Sequence, residues 1–149
     1  MKKTIITSAF ILAIGILLGT KIYDAKDSLI TTFNNKETYY FLQEGVYTSE
    51  QIMEENIKEF SAKAIEYKNN KYYVYVGITK EAPIAKKIKS IYEEAGYQIY
   101  IKELKIGNEE FSNNITQFDL LINSATTREE ILTIEEVVLA NYEETTSKD

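Results

Sequence analysis

The chain has 149 residues, enough for one compact domain with short attachments, because domains usually contain about 100 to 150 residues. It contains no Cys and no His, which excludes thiol nucleophiles, Ser/His and Cys/His dyads and nearly all zinc or copper sites. The 23 acidic residues outnumber the 17 basic ones, and the six Gly residues form no phosphate-binding loop. We therefore expect no enzymatic activity, no cofactor, no metal site and no nucleic-acid partner.

The first 23 residues have the pattern of a membrane anchor. Lys2 and Lys3 precede the uncharged run 4–20, which Lys21 and Tyr23 follow. At about 1.5 Å per residue, residues 4–23 are just long enough to cross the roughly 30 Å hydrocarbon core. The positive-inside tendency predicts that the N-terminus stays inside. We expect a single-pass protein of a bacterial cytoplasmic membrane that contacts the lipid bilayer through residues 4–23, with its C-terminal domain outside.

A cleaved signal peptide is the alternative interpretation of this segment. Its cleavage site is poor, because Ala25 has Tyr23 two positions before it where a small side chain is needed. The uncleaved anchor is therefore favoured. All 23 acidic residues but only 14 of the 17 basic residues follow the anchor, so the exported part carries 14 − 23 = −9, which disfavours adhesion to an anionic bilayer surface.

Residues 24–38 are polar and mixed, and they are predicted to be a linker. The aromatic-rich residues 39–45 are typical of a strand. Thr48 with Gln51 then forms a capping-box pattern that predicts the start of a helix.

Two further strands and a second helix complete the next part of the chain. The runs 64–68 and 71–78 are β-prone and are joined by Asn69 and Asn70, which suit a tight hairpin turn. A second helix is predicted from Thr79 as its cap to Gly96 at its end, with Pro83 in its first turn. A final strand is predicted over residues 97–104.

The predicted element order over residues 39–104 is β-α-β-β-α-β, which makes an α+β fold. This order produces a four-stranded antiparallel sheet with two helices on one face, the ferredoxin-like plan, and it leaves the other face open. Residues 40–47 and 72–79 also resemble each other, since each is an aromatic strand with Gly in its sixth place.

Residues 39–104 resemble the SPOR (sporulation-related repeat) domain. The first half carries an aromatic strand with Gln-x-Gly, an aromatic residue and a small polar residue at the helix start, namely Gln43, Gly45, Tyr47 and Ser49. The second half is similar to the closing repeat in Val74, Val76, Gly77, the helix around Ala85, and the pair Gly96 and Tyr97. One departure is Glu44, where members of the family usually have an apolar residue that faces the helices.

The resemblance implies binding of peptidoglycan glycan strands stripped of their peptide stems, at the cell-division or sporulation septum. Strand alternation predicts which side chains reach the open face, namely Phe41, Gln43, Tyr73, Tyr75, Gln98 and Tyr100. Aromatic rings suit the C–H faces of sugars, and amides and phenols suit their hydroxyl and N-acetyl groups. These six residues are the predicted ligand-binding residues, although aromatic residues also favour strands for packing reasons alone.

Residues 105–149 extend beyond the resemblance and are predicted to form an acidic helical hairpin. This segment holds 3 basic and 10 acidic residues, and Thr127 with Glu130 marks the start of its second helix. Its apolar stripe needs a cover, either the SPOR-like unit or a partner. The alternative function is therefore an adaptor that binds another membrane or septal protein through the SPOR-like unit or through the hairpin. We expect the hairpin to lie at the sheet edge or on the helical side, because burying Gln43 and Gln98 under apolar helices is costly.

The anchor makes a prediction about topology. Protease added to cells whose wall has been removed should digest residues 39–104, because the positive-inside tendency sends this segment outward. The full-length mass should remain in the membrane fraction. Protection of this segment from the protease would overturn the export argument, and a soluble form lacking about the first 20 residues would show that a signal peptide is cleaved instead.

Overall fold

The computed structural model describes residues 36–146, which belong to one compact unit. The predicted anchor and nearly all of the predicted linker lie outside the described residues. The first strand begins at Glu37, so the predicted linker boundary at residue 38 is two residues too late. Within residues 36–146, no helix has both the length and the apolar character needed to cross a membrane.

The described residues form an α+β fold with four strands and four helices. The strands make a single antiparallel sheet in the order β2-β3-β1-β4. The predicted order β-α-β-β-α-β, followed by two helices, is confirmed. The elements are β1 (Glu37–Tyr47), α1 (Glu50–Ile57), β2 (Ala64–Lys68), β3 (Lys71–Thr79), α2 (Ala82–Glu94), β4 (Tyr100–Ile106), α3 (Glu109–Ser124) and α4 (Arg128–Thr146).

Three local signals in the sequence are confirmed. Asn69 and Asn70 both have positive φ, 52° and 58°, as a two-residue hairpin turn requires. Gly96 has φ 93° just after α2, the left-handed conformation that ends helices. At the start of α4, Thr127 Oγ1 accepts from the Glu130 N–H while the Glu130 carboxylate accepts from the Thr127 N–H.

The caps of the first two helices differ from the predicted ones. Ser49, not Thr48, is the N-cap of α1, and its Oγ accepts from the Ile52 N–H at 3.4 Å. Glu81 is the N-cap of α2 and makes no side-chain cap hydrogen bond. Thr79 contributes from two residues earlier, because its Oγ1 accepts from the Glu81 N–H at 3.0 Å. At the start of each of these helices, neighbouring polar residues can serve as the N-cap, so the sequence pattern alone could not identify the one that does.

The sheet is covered on both faces by helices. On one face, α2 lies close to the sheet, since a Cβ added at Gly77 would meet Leu42 of β1 and Ile88 of α2 within 3.3 Å. On the other face, the α3–α4 hairpin packs against β1 and β3. The Phe41 ring lies 5.3 Å from the Tyr142 ring of α4 and 4.9 Å from the Tyr75 ring of β3, centroid to centroid. The prediction that the hairpin avoids this face is therefore wrong.

The hairpin is an integral third layer of the structure. It buries Phe111, Ile115, Phe118, Ile122, Ile131, Ile134, Val138, Leu139 and Tyr142. Each such side chain contributes about 1.5 to 3 kcal/mol relative to an exposed one. A surface ligand gains only about 0.5 to 1.5 kcal/mol per hydrogen bond, so a few ligand contacts cannot displace the hairpin.

Two aliphatic residues of α3 test this assignment of the hairpin. Ile122 is fully buried, and Leu120 is 54% exposed. We expect Ile122→Ala to lower the free energy of unfolding by about 2 to 5 kcal/mol, because it leaves a cavity under the hairpin. Leu120→Ala, the matched control, should change it by less than about 0.5 kcal/mol. Urea unfolding followed by circular dichroism measures both, and equal effects would contradict the docking of α3 on the sheet.

Candidate functional site

The structure divides the six predicted ligand-binding residues into two groups. Phe41 and Tyr75 are 0% and 2% exposed, and they lie in the core under α4. Gln43 and Tyr73 are half-buried, and Gln98 and Tyr100 are exposed. The prediction that this whole sheet face is open is therefore wrong. Gln98 precedes β4, which begins at Tyr100 and not at residue 97 as predicted. Four of the six residues remain accessible, and we call Gln43, Tyr73 and Tyr100, together with Gln98 just before β4, the uncovered end of the sheet.

Strand register places three of these residues on the same face of three adjacent strands. Gln43 of β1 lies directly opposite Tyr100 of β4 on one side and Tyr75 of β3 on the other. Tyr73 lies two residues before Tyr75 and therefore shares its face. Because neighbouring strands are about 4.8 Å apart, the strands that carry Tyr73 and Tyr100 are about 10 Å apart, with Gln43 on the strand between them.

Each of the two tyrosine rings has a lysine beside it. Lys68 Nζ lies 4.9 Å from the centroid of the Tyr73 ring, and Lys102 Nζ lies 6.0 Å from that of Tyr100. Both distances are within the range of a cation–π interaction. Lys68 Nζ also lies 3.0 Å from the carboxylate of Glu66, the residue directly opposite Tyr73, so a cation and an anion both lie beside this ring.

The Gln-x-Gly segment has a local structural reason. β1 and β3 shift register between Gln43 and Gly45, which leaves Glu44 as the extra residue of a β-bulge. The Glu44 carboxylate accepts a hydrogen bond from the Tyr47 hydroxyl at 2.8 Å, so it does not enter the core. The SPOR domain usually has an apolar residue at this position. Burial and the nearby Glu44 charge raise the pKa of Tyr47 to about 12. The Tyr47 ring lies where a side chain at Gly45 would be, 2.8 Å from the Cβ position, which explains the glycine.

A groove of about 400 Å³ lies between β2 and the end of α4, lined by Ile65, Glu66, Tyr67, Tyr142, Glu143 and Thr146. The Tyr75 hydroxyl donates to Glu66 at 3.2 Å, and Glu143 accepts from the Ile65 N–H at 3.0 Å. Burial, assisted by the Glu66 charge, raises the pKa of Tyr142 to about 12. Both carboxylates therefore have protein partners, and the raised pKa keeps Tyr142 protonated near neutral pH.

The uncovered end presents groups that are suited to hydrogen bonding and to ring contacts. Its side chains are amides and phenols, which donate and accept hydrogen bonds and present apolar ring faces. Among residues 36–146, no group of three or more acidic side chains is placed to hold a metal ion.

No family model matches the chain, and neither the curated proteins nor the solved structures contain a significant match.

Sequence reasoning missed two buried acids that fix the hairpin to the sheet. The Glu135 carboxylate of α4 accepts from the Ile78 N–H at 2.9 Å. The Asp119 carboxylate of α3 accepts from the Thr79 hydroxyl at 2.6 Å and from the Lys80 N–H at 2.9 Å. Strand β2 pairs with β3 only as far as Tyr75, so these acids satisfy backbone groups that β2 leaves unpaired.

Burial makes both acids harder to ionise. It raises the pKa of Asp119 from 3.8 to about 6, although the hydrogen bonds from Thr79 and Lys80 oppose the shift. It raises the pKa of Glu135 well above its ordinary value of 4.5, and the Glu135 Oε1 atom has no hydrogen-bond partner among the described residues. The sequence did contain a signal, since Glu135 lies at helical spacing from Ile131 and Val138 on the buried stripe of α4.

These pKa shifts predict that stability falls as pH rises. The folded state binds the protons of Asp119 and Glu135 more tightly than the unfolded state, so the stabilisation is fully present below about pH 4 and is lost as pH rises through the folded pKa values. For Asp119 the window runs from about 3.8 to about 6. The pKa values of Glu37 and Glu130 are lowered, so these groups act with opposite sign, and only below pH 4.5. Urea unfolding between pH 4.5 and 8 measures the slope.

Neighbouring residues of α4 provide a matched pair of variants for this measurement. Glu135→Gln keeps an acceptor for the Ile78 N–H and removes the titration, so it should flatten the pH dependence and be more stable than wild type at pH 8, by about 1 kcal/mol or more. Glu136→Gln changes an exposed side chain and should leave the slope unaltered. A wild-type slope that survives Glu135→Gln and Asp119→Asn together would show that other groups cause it.

Proposed function

We propose that this chain binds peptidoglycan glycan strands through the uncovered end of its sheet, held near a cytoplasmic membrane by the anchor predicted at its N-terminus. The observation that carries this proposal is the accessible Gln43 amide, which lies directly opposite Tyr100 and on the same face as Tyr73. An amide between two aromatic rings matches the alternating apolar faces and polar edges of a sugar chain.

The architecture gives additional support. The strand order β2-β3-β1-β4 with helices after β1 and β3 is the order of a ferredoxin-like sheet, which the SPOR resemblance implies. The site proposed now is smaller than the one predicted from sequence alone. It keeps Gln43, the residue whose place in a strand has the least packing benefit, and it omits Phe41 and Tyr75.

The charge of the site is compatible with this ligand. The site residues are uncharged, and the nearest cations to two of its rings are Lys68 and Lys102. Removal of the peptide stems leaves one lactyl carboxylate on each N-acetylmuramic acid of the strand, and Lys102 beside Tyr100 places a cation where it can attract that charge. The proposal includes a role in binding only, without catalysis.

The adaptor function is the alternative, but the structure removes part of its basis. The apolar stripe of the hairpin, one of the two suggested partner contacts, is buried on the sheet. Among the large apolar side chains of α3, Leu120 alone stands out as exposed. An adaptor would therefore have to use another surface.

Sedimentation with purified sacculi tests the proposed function. Full-length protein in detergent micelles should sediment with amidase-treated sacculi. Gln43→Ala and Tyr100→Ala should each weaken binding by about 1 to 3 kcal/mol, the scale of a lost hydrogen-bonding partner or stacked ring. Gln51→Ala and Leu120→Ala change exposed residues elsewhere and should bind like wild type.

Two outcomes would count against the proposal. If wild-type protein does not sediment with treated or untreated sacculi, glycan binding is wrong and the adaptor function gains. If wild type sediments but Gln43→Ala and Tyr100→Ala bind equally well while remaining folded, the glycan site lies elsewhere.

A further inference from the structure

A second aromatic surface lies at the same end of the sheet. Tyr47, Tyr72 and Tyr67 are directly opposite one another on the consecutive strands β1, β3 and β2, and we call them the tyrosine row. The rings of Tyr67 and Tyr72 are 4.6 Å apart, centroid to centroid. Tyr67 is 60% exposed, the largest exposure among the large apolar side chains described.

The tyrosine row lies on the other face of the sheet from the uncovered end. Tyr75 faces α4, since its ring contacts Phe41, which in turn contacts Tyr142. Side chains alternate along a strand, so Tyr73 shares the face of Tyr75 and Tyr72 points to the opposite side. The two surfaces are therefore separate, with the sheet between them.

Polar groups border the row, and one of them is the Glu44 carboxylate. The Tyr67 hydroxyl donates to Asn70 Oδ1 at 3.4 Å, and Asn69 stands beside it in the same turn. The positive φ angles of both asparagines fix a tight turn, and the hydrogen bond from Tyr67 places the Asn70 amide at the edge of the row. The Tyr47 hydroxyl is held by Glu44.

Packing alone does not explain the exposed ring. Cross-strand aromatic pairs stabilise sheets by about 0.2 to 1 kcal/mol, but a side chain that is mostly in water gains little from burial. The row carries rings and phenols, with the Asn70 amide and the Glu44 carboxylate as hydrogen-bonding partners. Rings beside amide and carboxylate acceptors suit an uncharged polyhydroxylated ligand, and the carboxylate disfavours an anionic one.

We propose that the tyrosine row is a second carbohydrate-binding surface, which takes a short run of neutral N-acetylated sugar residues. It rests on the proposed function, and it extends it, because one module then contacts two glycan segments, one on each face of its sheet. The rings of Tyr67 and Tyr72 stack on the sugars, and the Asn69 and Asn70 amides bond their polar edges.

Fluorotyrosine labelling separates the two surfaces. Full-length protein in detergent micelles, with 3-fluorotyrosine at its 12 tyrosine positions, is titrated with an N-acetylglucosamine hexamer and followed by fluorine NMR. Signals are assigned by single Tyr→Phe replacements. The Tyr67 and Tyr72 signals should shift in wild type and also in Tyr100→Ala, because the row binds independently of the uncovered end.

Variants at Tyr67 supply the second measurement. Because the Tyr67 side chain is mostly exposed, these variants should keep the fold intact. Tyr67→Ala should weaken binding to amidase-treated sacculi about 2- to 10-fold, the equivalent of about 0.5 to 1.5 kcal/mol for a lost ring contact. Tyr67→Phe keeps the ring and should bind within about 2-fold of wild type. Leu120→Ala changes an exposed residue of α3 that belongs to neither surface, so its binding to sacculi should equal that of wild type.

The results distinguish this inference from the proposed function. If only the Tyr73 and Tyr100 signals shift, and Tyr67→Ala binds sacculi like wild type, the row is not a sugar surface although the proposed function stands. If no tyrosine signal shifts and wild type does not bind sacculi, both are wrong. Shifts at Tyr67 and Tyr72 together with weakened binding by Tyr67→Ala support the second surface.

Discussion

The structure depends on one mismatch between neighbouring strands. β3 has nine residues and β2 has five, so the second half of β3 has no strand on its outer side. Buried backbone groups need partners, and side chains provide them here. Glu135 and Asp119 accept from the Ile78 and Lys80 N–H groups, and the Tyr92 hydroxyl donates to the Val76 carbonyl at 3.3 Å. Because the two acids belong to α4 and α3, the hairpin that completes the edge of β3 also covers the adjoining sheet face.

The position of the accessible surface follows from this arrangement. The hairpin is tied to the end of β3 near Thr79, and its helices cover Tyr39, Phe41 and Tyr75. The opposite end of the sheet, where β2 does pair with β3, needs no such completion. Gln43, Tyr73 and Tyr100 remain accessible there. The hairpin covers the end of the sheet where β3 lacks a partner strand, so the opposite end is the one left for a ligand. The chemical suitability of the residues is secondary to this constraint.

The parts of the fold that could be predicted from sequence are those with local causes. The Asn69-Asn70 turn, the glycine after α2 and the Thr127-Glu130 capping box depend on residues within a few positions of one another. Placement of the hairpin depends on contacts between residues 57 and 40 positions apart, such as Ile78 with Glu135 and Thr79 with Asp119. Alternation correctly put Phe41 and Gln43 on one face. It could not show that a face is covered at one end and open at the other.

Burying a glutamine without a partner costs free energy, but this cost acts on single residues and not on a whole face of the sheet. The hairpin does leave Gln43 only half-buried and Gln98 exposed, as the desolvation cost requires. The prediction treated the face as uniform, so it extended the exposure expected of two glutamines to every residue beside them. Asp119 and Glu135 also show that burial is decided residue by residue. A chain with an excess of acidic residues still buries these two, because backbone N–H donors need partners there. Of the two accessible rings beside Gln43, Tyr100 has Lys102 as a neighbour and Tyr73 has the pair Lys68 and Glu66, so local pairs of charges and not the net charge of the chain set the field that a ligand meets there.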